Sequence, residues 1–133
     1  MDKETRVLIE VRLDRAQEDI QTAKELLNLG RYRAVVNRAY YAVFSATNAL
    51  LLTKKIERGK HAGVEAAFIR HFIKTGIFDA EYGRIFDYTR KKREESDYSS
   101  RITIDRETAE KIFSDAEKFI ACLTEYLKTQ LKG

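Results

Sequence analysis

The 133-residue sequence has no proline, no tryptophan, one cysteine and only six glycines. Each shortage excludes something. Without proline, no ring clash or missing N–H interrupts a helix anywhere in the chain. A lone thiol, Cys122, cannot close an internal disulfide, which fits a reducing cytoplasm. The two histidines and the cysteine form no His-x-x-x-His or Cys-x-x-Cys pair, so neither a metal site nor a cofactor is expected. Glycine-rich phosphate loops are absent. No apolar run reaches the roughly 18 residues of a membrane span. The densest stretch, Ala39 to Leu52, is broken by Asn48. The opening MDKETR lacks the apolar core of a signal peptide. These features predict a cytoplasmic protein with no membrane partner.

Charge, by contrast, is plentiful. Charged residues make up 35% of the chain, 25 basic against 21 acidic, for a net charge of +4. They are mostly interleaved, the mark of solvated helical surfaces. Two local basic excesses stand out, Lys54 to His61 and Arg90-Lys91-Lys92-Arg93. Each is either a phosphate-facing patch or an ordinary wet face.

Hydrophobic spacing predicts five helices. The first spans Lys3 to Leu29, with Ile9, Leu13, Ala16, Ile20, Ala23 and Leu27 on one face and Gly30 as its stop. The second, Tyr32 to Lys54, is apolar nearly all round and so is expected at the centre. Its small stripe, Ala39, Ala42, Ala46 and Ala49, suits a close neighbour within the chain or across a dimer seam. The third covers His61 to Thr75, with Val64, Phe68 and Phe72 inside and Gly76 after it. The fourth starts behind Asp79 and ends near Glu95, with Tyr82, Phe86 and Thr89 inward. A polar loop, Ser96 to Thr103, leads to the fifth helix, Arg106 to Leu131, capped by Asp105. Its inner line is Ala109, Phe113, Ala116, Ile120, Leu123 and Leu127, with Cys122 beside it. Such stripes are buried only by packing together, so the expected architecture is a single all-α domain, an up-and-down bundle of four to five antiparallel helices.

Two places break the apolar pattern. The line Tyr82, Phe86, Thr89 continues to Arg93, where a hydrophobe is expected. An inward guanidinium needs a partner, because burying it alone is costly. Asp97, four residues on, can supply one. The pair is either a structural clamp or an anion site that Arg93 serves. On the second helix Asn37, Tyr41, Phe44 and Asn48 align at i, i+4, i+7 and i+11, flanked by Arg38 and Tyr40. They form either a buried hydrogen-bond network or a pocket wall. His61, after the basic loop, caps, joins that network or touches a ligand.

Three segments together resemble the HEPN domain family: Ala34 to Phe44, Lys60 to Val64, and Arg93-Glu94-Glu95-Ser96-Asp97-Tyr98. The first helix and Ala116 to Ile120 are also similar. The resemblance implies a helical bundle, commonly a homodimer. It implies a nucleotide- or RNA-binding cleft drawn from Arg93, Asp97, Tyr98, Asn37, Arg38, Tyr41 and His61. It also implies a partner, a minimal nucleotidyltransferase, in a toxin–antitoxin-type pair. A large branch of the family consists of metal-independent ribonucleases with an arginine, four to six residues, then a histidine. Here the positions after Arg93 that should hold histidine are Tyr98, Ser99 and Ser100. An unperturbed tyrosine, with a pKa near 10, is a poor base at neutral pH. The leading expectation is therefore an interaction and binding module. The alternatives are an endoribonuclease using Arg93, Asp97, Tyr98 and His61, and a nucleotide sensor without catalysis.

Overall fold

A computed structural model describes residues 1–57, 61–98 and 102–132; within these, the side chains of residues 61 and 62 are not described. The chain runs α1 (Lys3–Asn28), α2 (Tyr32–Leu52), α3 (His61–Phe68), α4 (Ala80–Tyr98) and α5 (Arg106–Leu131). No strand occurs among the described residues. The all-α bundle read from the sequence is the fold observed.

Local chemistry sets the helix ends. The Asp2 carboxylate accepts from the Thr5 N–H at 2.7 Å, and Asp105 accepts from the Thr108 N–H at 2.9 Å. Each satisfies an orphan donor of a first helical turn. Gly30 (φ 75°) and Gly76 (φ 79°) take the left-handed conformation after a helical segment, which costs glycine no Cβ clash. Before α4, the Tyr82 N–H donates to the backbone carbonyl of Asp79 at 3.1 Å.

The core gathers around α2, thirteen of whose residues are buried. Its main neighbour is α1, with α5 next. Ala39, Ala42, Ala46 and Ala49 are all fully buried within the chain, so the small stripe serves an intramolecular contact and not a dimer seam. Ile9, Ala16 and Ala23 of α1 are fully buried, with Leu13, Ile20 and Leu27 partly buried against the core. On α5 the buried face is broader than a single i, i+3, i+4 line. Ile112 and Phe119 are fully buried, whereas Phe113 is only partly covered. A helix facing a core rather than one partner presents such a wide face.

The third helix is not continuous. After α3, Ile69–Ile73 form one π-helical turn, closed by the Lys74 N–H donating to the Ile69 carbonyl at 2.8 Å. Phe68 precedes the turn and Phe72 lies within it; both stay fully buried, with ring centroids 6.4 Å apart. Gly83 of α4 sits against it, where an added Cβ would lie 2.9 Å from Ile69 Cδ1. Phe68 also meets Phe86 at 6.1 Å and Phe119 at 5.5 Å. Phe86 in turn meets Tyr40 edge-on at 6.2 Å, so this aromatic cluster forms the floor of the site described next.

Candidate functional site

Tyr40 and Tyr41 are adjacent on α2 and so diverge around the helix. Tyr40 is fully buried and Tyr41 is half-buried. Their rings lie 5.4 Å apart and nearly perpendicular. Arg93 reaches them from α4. Its guanidinium carbon is 4.7 Å from the Tyr40 ring centroid and 5.8 Å from that of Tyr41. The inward step along α4 predicted for Arg93 is therefore correct, and aromatic faces receive the charge. Cation–π contacts of this kind are each worth about 0.5–2 kcal/mol, rising with desolvation. Arg93 NH1 also donates to Asp97 Oδ2 at 2.8 Å. Arg93 is mostly covered, Asp97 is exposed, and Arg93 Nε is buried with no hydrogen-bond partner among the described residues. The clamp forms, yet it leaves one inward donor of the guanidinium unused.

Arg38, one turn before Tyr41 on α2, also approaches that ring, with its guanidinium carbon 5.3 Å from the centroid. Its Nε and NH2 donate to Asn37 Oδ1 at 3.3 and 2.9 Å, and NH1 donates to Asp19 Oδ1 of α1 at 3.1 Å. The Tyr41 ring thus has two arginines, from two helices, within 6 Å of its centroid. Burial pushes the Asp19 carboxyl up from its ordinary value, against the pull of Arg38. Burial likewise pushes the Tyr40 phenol up to about 12, against the pull of Arg93. Tyr40 is consequently a neutral platform and not a base at physiological pH.

Next to this cluster an open hollow of about 490 Å³ is lined by Arg31, Tyr32, Arg33, Ala34, Asn37 and Asp97. It lies at the N-terminus of α2, where no side chain caps the helix. Helix N-termini offer orphan N–H donors and a partial positive charge, a favourable setting for phosphate or carboxylate. Arg33 is held across the gap by its NH2 donating to the Ile102 carbonyl at 2.6 Å.

The fold therefore brings Arg93, Asp97, Asn37, Arg38 and Tyr41 into one cluster. Tyr98 ends α4 with 87% of its surface exposed and projects to solvent. His61 opens α3, but its side chain, like Ser99 and Ser100, lies outside the described residues. Two open alternatives close and one helix boundary moves. The aligned polar residues of α2 are not a buried network: Asn37, Tyr41, Phe44 and Asn48 are all half-buried and line surface hollows. The basic run on α4 is not a free phosphate patch, because every member has an acid. Arg90 pairs with Glu65, Asp87 and Glu94, Lys91 with Asp87, Lys92 with Glu95 and Arg93 with Asp97. Helix α4 also runs on to Tyr98, so Ser96, Asp97 and Tyr98 are helical rather than loop. In the other basic excess, residues 58–60 lie outside the described residues. Sequence reasoning missed Asp19, Arg31 and Arg33. Asp19 meets Arg38 only through tertiary packing, whereas Arg31 and Arg33 were legible as cations at a helix start.

The sequence model of the HEPN domain matches residues 9–126. The chain belongs to the HEPN domain family. Similar proteins cover almost all of it. One from Methanocaldococcus jannaschii, named "Putative toxin MJ0605", is 37% identical over 128 residues, 96% of this chain and 95% of its own. A UPF0332 protein of Thermotoga maritima is 36% identical over 121 residues, 91% of this chain and 92% of its own. A second M. jannaschii protein, "Putative toxin MJ0142", is 34% identical over 127 residues, 94% of this chain and 86% of its own. In this HEPN chain the positions five, six and seven residues beyond Arg93 hold Tyr98, Ser99 and Ser100, none of them a histidine. No helix among its described residues is long and apolar enough to cross a membrane. No group of metal-binding side chains is found among them either.

Proposed function

We propose that this HEPN chain is a nucleotide- and RNA-binding interaction module, partnered by a minimal nucleotidyltransferase in a toxin–antitoxin-type pair. The observation that carries the binding reading is the presentation of Arg93. It is fixed on the Tyr40 and Tyr41 rings, beside a hollow that joins an uncapped helix N-terminus to Arg31 and Arg33. A phosphate in the hollow gains backbone N–H groups and two guanidiniums, and it competes with Asp97 for Arg93. A base or ribose beside it meets Asn37 and the half-exposed face of Tyr41. The names of the M. jannaschii relatives support the toxin–antitoxin setting.

Binding is favoured over cleavage for a chemical reason. Attack by a 2′-hydroxyl needs a group to take its proton near the phosphate. Tyr40 is kept neutral, Asp97 is engaged by Arg93, and Tyr98 is exposed to solvent. The test is a fluorescence-anisotropy titration of a labelled single-stranded RNA, with gel analysis of the same samples in EDTA. The expected result is micromolar binding with intact RNA, weakened by Arg93→Ala. Metal-independent cleavage abolished by Arg93→Ala would instead establish the endoribonuclease. Co-purification with a co-expressed nucleotidyltransferase from the neighbouring gene tests the partner.

A further inference from the structure

Between the third helical segment and α4 lies another hollow, of about 500 Å³, whose lining includes Glu65, Ile69, Arg70, Lys74, Arg90 and Glu94. Two features build it. The first is the π turn Ile69–Ile73, which carries Arg70 and is closed by the Lys74 N–H. Turns of this kind are rare and gather at functional sites. Gly83 lets α4 come close to it, because a Cβ there would lie 2.9 Å from Ile69 Cδ1. The second is the saturation of Arg90, two turns beyond Gly83 on the same face of α4. Its Nε donates to Glu65 Oε1 at 2.6 Å, its NH1 to Glu94 at 3.1 Å and its NH2 to Asp87 at 2.8 Å.

Both carboxylates of the lining are therefore committed to Arg90. Arg70 and Lys74 are exposed, and neither forms an ion pair with an acid among the described residues. The lining holds three cations against two carboxylates, and the surplus sits on the π turn and the residue that closes it. Positive charge left over beside a concave wall suits a phosphate. The hollow also adjoins the Arg93 site. Asp97, on the rim of the hollow at the start of α2, and Arg90 are seven residues apart on α4, hence on one face. At 1.5 Å per residue they lie about 10 Å apart along the helix, with Arg93 between them. One phosphate cannot occupy both hollows, whereas successive phosphates of a strand can. We propose that Arg70 and Lys74 hold a further phosphate of a single-stranded oligonucleotide whose first phosphate is served by Arg93. Contacts of this kind follow the backbone and impose no base sequence.

The inference rests on the binding reading above and names its ligand, an extended strand rather than a lone nucleotide. Isothermal titration of the full chain compares uridine monophosphate with a uridine hexanucleotide. The hexanucleotide is expected to bind about tenfold tighter or more, because its second contact is intramolecular. Arg70→Ala/Lys74→Ala should remove most of that advantage. It should also lower the slope of log affinity against log salt by about 0.7 for each cation lost. Both side chains are exposed, so the helical circular dichroism spectrum should be unchanged. Arg70→Lys/Lys74→Arg, which keeps the charges, should keep the advantage. Equal hexanucleotide affinity in the native chain and the double alanine variant overturns the proposal and leaves the Arg93 site standing. A hexaglutamate peptide that binds the native chain as tightly as the hexanucleotide also overturns it, because the hollow would then take an acidic protein segment. Absence of binding by either nucleotide overturns the binding reading and the proposal together.

Discussion

The guanidinium of Arg93 rests 4.7 Å from the centroid of the Tyr40 ring, on a side chain with no exposed surface. A charge that would be costly to bury alone is held over a π-face, with its outer edge turned toward Asp97. Burial raises the Tyr40 phenol to about 12, above the ordinary value of 10. The unfolded chain therefore loses that proton first as pH rises. Stability from the neutral phenol is complete below pH 10 and is lost as pH climbs through about 12. Ultraviolet titration at the tyrosinate band should show a tyrosine that ionises late, and Tyr40→Phe should remove that step. An unchanged curve in Tyr40→Phe contradicts the placement.

Asp97 has the opposite character, being exposed and on the last turn of α4. It pairs with Arg93 and adds a negative charge where the helix dipole is already negative. Asp97→Asn should tighten binding of phosphate ligands about three- to tenfold, because Arg93 no longer has a competing carboxylate. Its effect on stability should stay at about 1 kcal/mol, because the Asp97 end of the pair is exposed to water. Anisotropy titration and urea denaturation of the same variant check both halves. Weaker binding would mean that Asp97 positions Arg93 rather than competing for it.

Thr89 precedes Arg93 by one turn of α4. It is fully buried, and its hydroxyl has no hydrogen-bond partner among the described residues. An unmet buried hydroxyl costs about 1–3 kcal/mol, and valine has the same shape without that cost. Thr89→Val is expected to stabilise the chain by about 1 kcal/mol, read from the urea midpoint at constant m-value. A loss of stability would reveal a partner for the hydroxyl.

Much of the bundle was legible because it depends on local chemistry. The inner line of α1, the stops at Gly30 and Gly76 and the Asp105 cap all follow from spacing and side-chain type. Arg93 was legible as an anomaly, a cation continuing an apolar line. The neutralisation of the α4 basic run was also written in the sequence, in the three- and four-residue steps from Asp87 to Arg90, Asp87 to Lys91, Arg90 to Glu94 and Arg93 to Asp97. What stayed hidden depends on tertiary contact. Nothing local announces that Asp19 meets Arg38, that Tyr40 rather than Tyr41 faces inward, or that Ile69–Ile73 widen into a π turn against Gly83.

The central claim is that Arg93, held on Tyr40 and Tyr41, serves an anion in the hollow at the start of α2. Isothermal titration of a nucleoside monophosphate into the native chain, Arg93→Ala and the Arg31→Ala/Arg33→Ala double variant tests it directly. The account predicts binding by the native chain and a loss of about tenfold or more in each variant, with helical content unchanged. Equal affinity in all three would contradict it and leave Arg93–Asp97 as a structural clamp alone.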